Sequence, residues 1–166
     1  MNKRYKEQIE EFIYRGQKTP FSIGTIVVCF LCLLFLIVAT FTQINVTHIW
    51  PVYDNAGNLV FENVTHPYVA QIPVVIFIAA LLGPGYALVV MLMYLITGFF
   101  IWPVFALGGG LAYIKSGLFG FILGYIFAVI PTGKILEKKY NLKSIILASL
   151  IGVICIHLCG MLYCVI

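Results

Sequence analysis

Charged residues are scarce in this sequence. Only 10% of its 166 residues are charged, whereas 62% are hydrophobic. A soluble globular domain carries about 25% charged residues, so that class is excluded. Apart from Lys115, the Lys and Arg residues lie in two stretches, 1–18 and 134–143, that flank apolar runs. Because they form no continuous face, the net charge of +4 indicates membrane topology, and no nucleic-acid partner is expected.

The apolar runs also lack the residue sets that catalysis and metal binding need. They contain no Ser/His/Asp set and no carboxylate pair, so intramembrane hydrolysis has little support and no enzymatic activity is expected. The five cysteines all lie in apolar runs, and their odd number argues against a disulfide framework. Cys29 and Cys32 have the spacing of half a metal site, but no second pair of ligands accompanies them. Buried thiols are the favoured interpretation, and neither a metal nor a cofactor is expected.

His157 is, apart from Ser149, the one strongly polar side chain deep in the last apolar run. An ionisable residue inside a membrane is a functional candidate by default. No second candidate ligand accompanies it in the sequence. A neutral histidine bonded to a neighbouring helix is therefore the favoured interpretation.

Long apolar runs predict a helical membrane protein. A spanning helix needs about 20 residues. The run 72–102 is too long for one span and contains Leu82-Gly-Pro-Gly85, which is typical of a helix break followed by a tight turn. The flank after the first run lacks the cleavage pattern of a signal peptide, so that run is also taken as a transmembrane helix. The prediction is an all-α polytopic bundle with five transmembrane helices in one membrane domain, 19–166. The expected helices are approximately 21–45, 68–83, 86–102, 117–133 and 144–166.

The distribution of basic residues predicts the orientation. Residues 1–18 carry five Lys or Arg and are expected to form an amphipathic cytoplasmic segment, while 134–143 carries four and 46–71 has none. Cytoplasmic loops collect Lys and Arg, so the first two stretches are placed inside and the third outside. An even number of spans must then separate Lys18 from Lys134, and the split at Gly83 provides it. We expect a multi-pass protein of the cell membrane with a cytoplasmic N-terminus.

The outer segment 46–67 is expected to form a folded cap. The tetrapeptide Asn-Val-Thr-His occurs twice, at 45–48 and 63–66, and Asp54-Asn-Ala-Gly57 lies between the copies. These four residues have the chemistry of a turn. The pattern predicts a small β-hairpin or a similar folded cap over the outer mouth.

A glycine-rich loop supplies the candidate binding residues. The helix 86–102 ends at Trp102-Pro103, and an apolar loop then passes through three consecutive glycines. Non-helical backbone at membrane depth is tolerated where it lines a cavity or is buried in protein. Glycine lets the backbone approach a ligand closely, although an ordinary outer loop with interfacial aromatics remains the alternative. Lys115 suits a ligand carboxylate, or else it is a snorkelling interfacial lysine. The candidate substrate-binding residues are Trp102, Phe105, Gly108, Gly109, Gly110, Tyr113 and Lys115.

Four segments follow one another at distances that resemble those of a known family. They are Ile72 to Gly85, Tyr94 to Gly98, Pro103-Val-Phe-Ala-Leu-Gly-Gly-Gly110 and Phe119-Gly-Phe-Ile-Leu-Gly124. Over residues 20–160 the chain resembles the biotin-binding subunits (BioY family) of energy-coupling-factor transporters. The loop from Pro103 to Gly110 is the most specific part of the resemblance.

The resemblance implies a substrate-binding subunit that takes biotin from the outer side with high affinity. Its implied partners are a transmembrane coupling subunit and two cytoplasmic ATPase subunits, in the lipid bilayer. Family members continue through a sixth helix whose Asp and Lys contribute to the biotin site. Five of the six helices are expected here, so those two residues cannot be carried over. Two differences from the family pattern are Gly117-Leu118 and the basic residue at 115. A subunit for another vitamin and a non-transporting membrane scaffold are the alternative functions.

Overall fold

In the computed structural model, residues 22–53, 57–106 and 108–165 are described. The predicted cytoplasmic segment 1–18 lies outside them. Four helices in the described part are long and apolar enough to cross a membrane. They are α1 (Ile23–Phe41), α2 (Gln71–Ile96, continued by a π-helical turn over Thr97–Ile101), α3 (Phe119–Lys138) and α4 (Leu142–Val165). The expected helical membrane fold is present in this coarse form.

Several of the predicted helix boundaries differ from the structure, and α2 begins at Gln71 rather than at 68. Helix α1 ends at Phe41 and not at 45, because Thr42 is already extended and a strand starts at Gln43. Helix α3 continues past 133 to Lys138. A lysine in the last turn is favourable because the carbonyl end of a helix carries partial negative charge. Residues 134–138 of the basic stretch are therefore helical, and residues 142 and 143 already belong to α4.

The outer segment is a β-hairpin that extends further than the predicted cap. Strands β1 (Gln43–Tyr53) and β2 (Leu59–Val69) pair antiparallel along their full length. The two copies of the tetrapeptide lie opposite each other, with Thr47 paired to Thr65 and their hydroxyl oxygens 2.9 Å apart. The repeated threonine thus forms a cross-strand pair of the kind that stabilises sheets.

Helix α2 is broken at Gly83, where the sequence predicts the break. Gly83 has φ 71° and ψ 176°, a conformation essentially restricted to glycine, and Pro84 follows it. The side chains of Gln71 and Tyr94 nevertheless form a hydrogen bond of 2.8 Å across a separation of 23 residues. On a straight helix these residues would be roughly 34 Å apart. The two halves, 71–82 and 84–96, therefore lie side by side with the chain reversing between them.

Helices α3 and α4 form the most extensive helix pair, and small residues allow their close approach. A Cβ added at Gly124 would lie 2.8 Å from the Cα of Ile156, and one added at Gly120 would lie 2.2 Å from the Cβ of Tyr163. Gly120 and Gly124 form a small-xxx-small pair on α3, which is common where membrane helices pack. The helical backbones thus meet directly in this part of the bundle.

Candidate functional site

A buried polar cluster lies where α1 ends and α2 begins. We call it the outer polar cluster, after the side of the membrane on which the charge distribution predicts it to lie, and it consists of Thr40, Gln71, Tyr94 and Tyr125. The Gln71 amide nitrogen donates to Thr40 Oγ1 at 2.6 Å and to Tyr94 Oη at 2.8 Å, and Tyr125 Oη donates to Gln71 Oε1 at 2.9 Å. All four residues are buried. The cluster joins three helices through one amide, which is stabilising only because every member is hydrogen-bonded.

A cavity of about 260 Å³ adjoins this cluster. Its polar lining comes from Tyr68, Gln71, Tyr113 and Tyr125. Its apolar lining comes from Val69, Ile72, Ala106, Leu118, Phe121 and Ile122. Small-molecule sites are mostly apolar, with a few polar groups that fix orientation, and they start at about 300 Å³. The cavity has this character, and its volume lies slightly below that range.

The loop after Trp102 folds back onto the π-helical turn. Phe105 is 1% exposed and packs edge-on against Tyr94 and Phe99, with ring centroids 5.4 and 5.3 Å away. The amide of Gly110 donates to the carbonyl of Gly98 at 2.8 Å. A Cβ added at Gly98 would lie 2.1 Å from the Phe105 ring, so only glycine leaves room for that ring. This packing places the loop beside the outer polar cluster.

The structure divides the predicted binding residues between different surroundings. Tyr113 lines the 260 Å³ cavity, while Trp102, Gly109 and Gly110 line a separate depression of about 240 Å³. Trp102 is 67% exposed, and Lys115 is exposed at the end of a short helical turn, Leu111–Lys115.

Three of the predicted binding residues make their contacts within the protein: Phe105, Gly108 and Gly110. Phe105 lies in the core and does not line the 260 Å³ cavity. The amide of Gly108 donates to the Phe105 carbonyl, as that of Gly110 does to Gly98. These two amide hydrogens are therefore not directed at a ligand in this conformation.

Tyr113 is held in place by its hydroxyl, which donates to the carbonyl of Ala106 at 2.8 Å. Its ring lies 4.9 Å from that of Phe105, and burial raises the pKa of the hydroxyl. The C-terminal end of α4 contacts the segment that follows Tyr113. Tyr163 donates a hydrogen bond to the Ile114 carbonyl, and Cys164 Sγ lies 3.5 Å from the Gly117 carbonyl oxygen. The wall of the cavity formed by this segment thus depends on α4.

His157 differs from its favoured interpretation. It is exposed, and its Nδ1 lies 2.8 Å from the Val153 carbonyl oxygen of its own helix, not of a neighbouring one. Its contact with the neighbouring helix is the edge of Phe121, at 6.0 Å between ring centroids. Among residues 22–53, 57–106 and 108–165, no three His, Cys, Asp or Glu side chains group as metal ligands. Cys29 and Cys32 are free thiols buried on α1.

A larger cavity of about 510 Å³ lies at the opposite end of the bundle. It is bordered by the start of α1 at Ser22, by the α2 break near Leu82 and by Tyr140. Volume alone would favour it as the ligand site. The smaller cavity is preferred because it borders the buried hydrogen-bonded cluster, which gives a ligand defined polar partners.

None of the four residues of the outer polar cluster was among the predicted binding residues. Gln71 could have been recognised as a candidate from the sequence, because it is a polar side chain directly before a 31-residue apolar run. Tyr94 and Tyr125 stand alone within apolar segments, and Thr40 lies near the end of one. Isolated polar residues in such runs tend to face the bundle interior. Which of them face one another follows only from the folded chain.

Apolar helices of this length define a polytopic helical membrane protein. The hydrogen-bonded polar cluster beside the 260 Å³ cavity gives it a candidate small-ligand site. The sequence profile of the BioY family matches residues 15–166, so the chain belongs to the BioY family. A probable biotin transporter BioY from Lysinibacillus sphaericus is 31% identical over 93 residues, which are 55% of this chain and 47% of that protein. The chain thus spans about half the length of this curated relative.

A solved structure has a similar fold. It is the crystal structure of the S-component for biotin from an ECF-type ABC transporter. The TM-score is 0.66 at 20% sequence identity, and the match covers 98% of this chain and 74% of the other. At that identity the similarity concerns the fold, which agrees with the family assignment.

Proposed function

We propose that this protein binds biotin as the membrane-embedded substrate-binding subunit of an ATP-driven vitamin importer and that it catalyses no reaction itself. The carrying observation is the 260 Å³ cavity beside the outer polar cluster, in a chain of the BioY family. Biotin has a ureido group that needs polar partners, an apolar bicyclic body and a carboxylate tail. A mainly apolar cavity with one polar wall is complementary to the first two. The similar proteins bear names that refer to biotin, which favours this vitamin over others.

The proposed arrangement has five passes with a cytoplasmic N-terminus. The reversal at Gly83 supports two passes within α2, and the basic residues at 134–143 support a cytoplasmic loop between α3 and α4. Under this arrangement the β-hairpin and the 260 Å³ cavity are on the outer side, where a substrate arrives. A transmembrane coupling subunit and two ATPase subunits are the proposed partners, because the chain has no nucleotide-binding loop of its own.

Purified protein is expected to retain radiolabelled biotin in near-stoichiometric amount. Unlabelled biotin should displace the label, whereas riboflavin and thiamine at the same concentration should not. Displacement by either of those vitamins would assign the protein to a different substrate. A membrane scaffold would retain no label at all, and that result would refute the proposed function.

The predicted role of Lys115 is tested by a mutation that should have a modest effect on biotin affinity. If its ammonium group pairs with the biotin carboxylate, Lys115→Ala should weaken biotin binding about fivefold, as expected for an exposed ion pair worth up to about 1 kcal/mol. Binding of biotin amide, which carries no charge, should change little. Lys143→Ala removes the same charge from an exposed position in the stretch 134–143 and is the matched control. Equal losses for biotin and its amide would exclude the carboxylate role.

A further inference from the structure

The directions of the hydrogen bonds in the outer polar cluster determine which groups keep bonding capacity. A hydroxyl has one hydrogen. Thr40 donates its hydrogen to the Leu36 carbonyl at 2.9 Å, and Tyr94 donates its own to the Val104 carbonyl at 3.0 Å. Both hydroxyl oxygens therefore act as acceptors within the cluster. The two hydrogens of the Gln71 amide go to them, at 2.6 and 2.8 Å.

Because the Gln71 amide nitrogen bonds to Thr40 and Tyr94, the Gln71 carbonyl oxygen is oriented toward Tyr125. Tyr125 donates its hydrogen to Gln71 Oε1 at 2.9 Å. A carbonyl oxygen has two acceptor positions, so one remains, and the Tyr125 oxygen likewise keeps acceptor capacity only. Gln71 and Tyr125 both line the 260 Å³ cavity. The wall that they form thus offers acceptors to a ligand and no donor.

We infer that Gln71 is a specificity-determining residue of this site and that its Oε1 accepts a hydrogen bond from a ureido N–H of the ligand. The inference rests on the proposed function, since it concerns the same cavity and names the part of biotin that meets this wall. A ligand N–H can donate a hydrogen bond to the remaining acceptor position of Gln71 Oε1. A ring oxygen or a carboxylate in that place would face two acceptors and stay unpaired. The ureido ring therefore lies against Gln71, and the carboxylate tail points away from it.

The rest of the cluster positions this amide. Thr40 and Tyr94 hold the nitrogen side, so the amide cannot rotate to present its N–H groups to the cavity without breaking two hydrogen bonds. Thr40 is absent from the cavity lining, as is Tyr94. Their contribution is orientation: they keep Oε1 directed at Tyr125 and the ligand.

The test compares biotin with its two cyclic carbamate analogues, in each of which one ureido N–H is replaced by a ring oxygen. These analogues keep the size of biotin but turn a donor into an acceptor. Binding is measured by equilibrium competition on the full chain in lipid nanodiscs. The wild-type protein should prefer biotin over one of the two analogues by about 10- to 100-fold, because a buried polar group is left unpaired. The same measurement is then made on Gln71→Met, and Thr132→Val is the matched control.

Gln71→Met has a similar size and removes both amide groups, so its preference for biotin should fall to within about threefold. Thr132 is a buried threonine on α3 that bonds to the Ala148 carbonyl and does not line the cavity. Thr132→Val should keep the wild-type preference. An unchanged preference in Gln71→Met would overturn the inference.

The wild-type protein alone also decides the inference, should Gln71→Met not fold. Equal affinity for biotin and both carbamates would exclude a ureido N–H bonded to Gln71 while leaving biotin binding intact. A wild-type protein that binds neither biotin nor the analogues would instead refute the proposed function. The two failures are therefore distinguishable.

Discussion

Gly98→Ala is expected to abolish most ligand retention and to lower the thermal stability of the protein. The new Cβ would lie 2.1 Å from the Phe105 ring, where non-bonded carbons normally sit about 3.5–4.0 Å apart. The ring has little room to move, because Tyr94, Phe99 and Tyr113 surround it. Overpacking of this kind costs about 3 kcal/mol. Displacing Phe105 would also shift Tyr113, which lines the cavity.

The measurements are retained biotin and the midpoint of thermal unfolding in detergent. We expect at least about a tenfold loss of affinity and a midpoint lower by roughly 6–12 °C. Gly85→Ala is the matched control, because a Cβ at Gly85 would meet nothing within 4 Å. Phe105→Leu in the Gly98→Ala background should restore part of the stability by making room. A Gly98→Ala protein with normal binding and normal melting would contradict the packing of the loop on the π-helical turn.

Features encoded by adjacent residues could be predicted from the sequence. Gly83 and Pro84 break α2 because each acts on its own backbone, and the repeated threonines of the hairpin lie opposite each other in the register of the two strands. The extent of the strands was underestimated at both ends. Residues 43–45 and 68–69 are apolar or uncharged and fit either a helix or a strand, so the boundary depends on pairing across the hairpin.

The candidate site could be predicted only in part, since its polar wall comes from three separate segments. Gln71 and Tyr125, which line the cavity, are 54 residues apart in the chain, and Thr40 bonds to the same amide from α1. The sequence predicted Phe105 as an apolar wall of the binding cavity, but its side chain lies in the core and does not line the 260 Å³ cavity. A single sequence does not show which side an apolar loop residue faces. Tyr113 is the predicted residue that does line the 260 Å³ cavity.

The helix ends and connecting loops fall into two groups, one at each end of the helical bundle. Ser22, Leu82 and Tyr140 border one cavity, so the start of α1, the break in α2 and the α3–α4 loop lie at the same end. The outer polar cluster joins Thr40, Gln71 and Tyr94 at the other end. The bond from Tyr163 to the Ile114 carbonyl places the end of α4 beside the loop after α2. This grouping is independent of charge, and it supports the proposed arrangement, in which the start of α1, the break in α2 and the α3–α4 loop share one side of the membrane.

Single cysteines in a cysteine-free background should therefore react with a membrane-impermeant maleimide in an all-or-none pattern. Tyr53→Cys on the hairpin and Lys115→Cys on the outer loop are expected to react in intact cells. Gly85→Cys and Lys139→Cys should react only after the membrane is permeabilised. All four positions are exposed, so the membrane, and not burial in the protein, decides their reactivity.

The labelling of Tyr53→Cys, Lys115→Cys and Gly85→Cys distinguishes five membrane passes from four. If α2 crossed once without reversing, Gly85 would lie in the hydrocarbon and stay unlabelled in both states. Lys115 would then be on the side opposite to Tyr53, and the lysines at 138, 139 and 143 would lie outside, against the rule that basic residues stay in the cytoplasm. Reaction of Tyr53→Cys and Lys115→Cys from the same side requires an even number of crossings between them. With the reversal at Gly83 that number is two, and the proposed arrangement then puts the 260 Å³ cavity and the hairpin on the same side of the membrane.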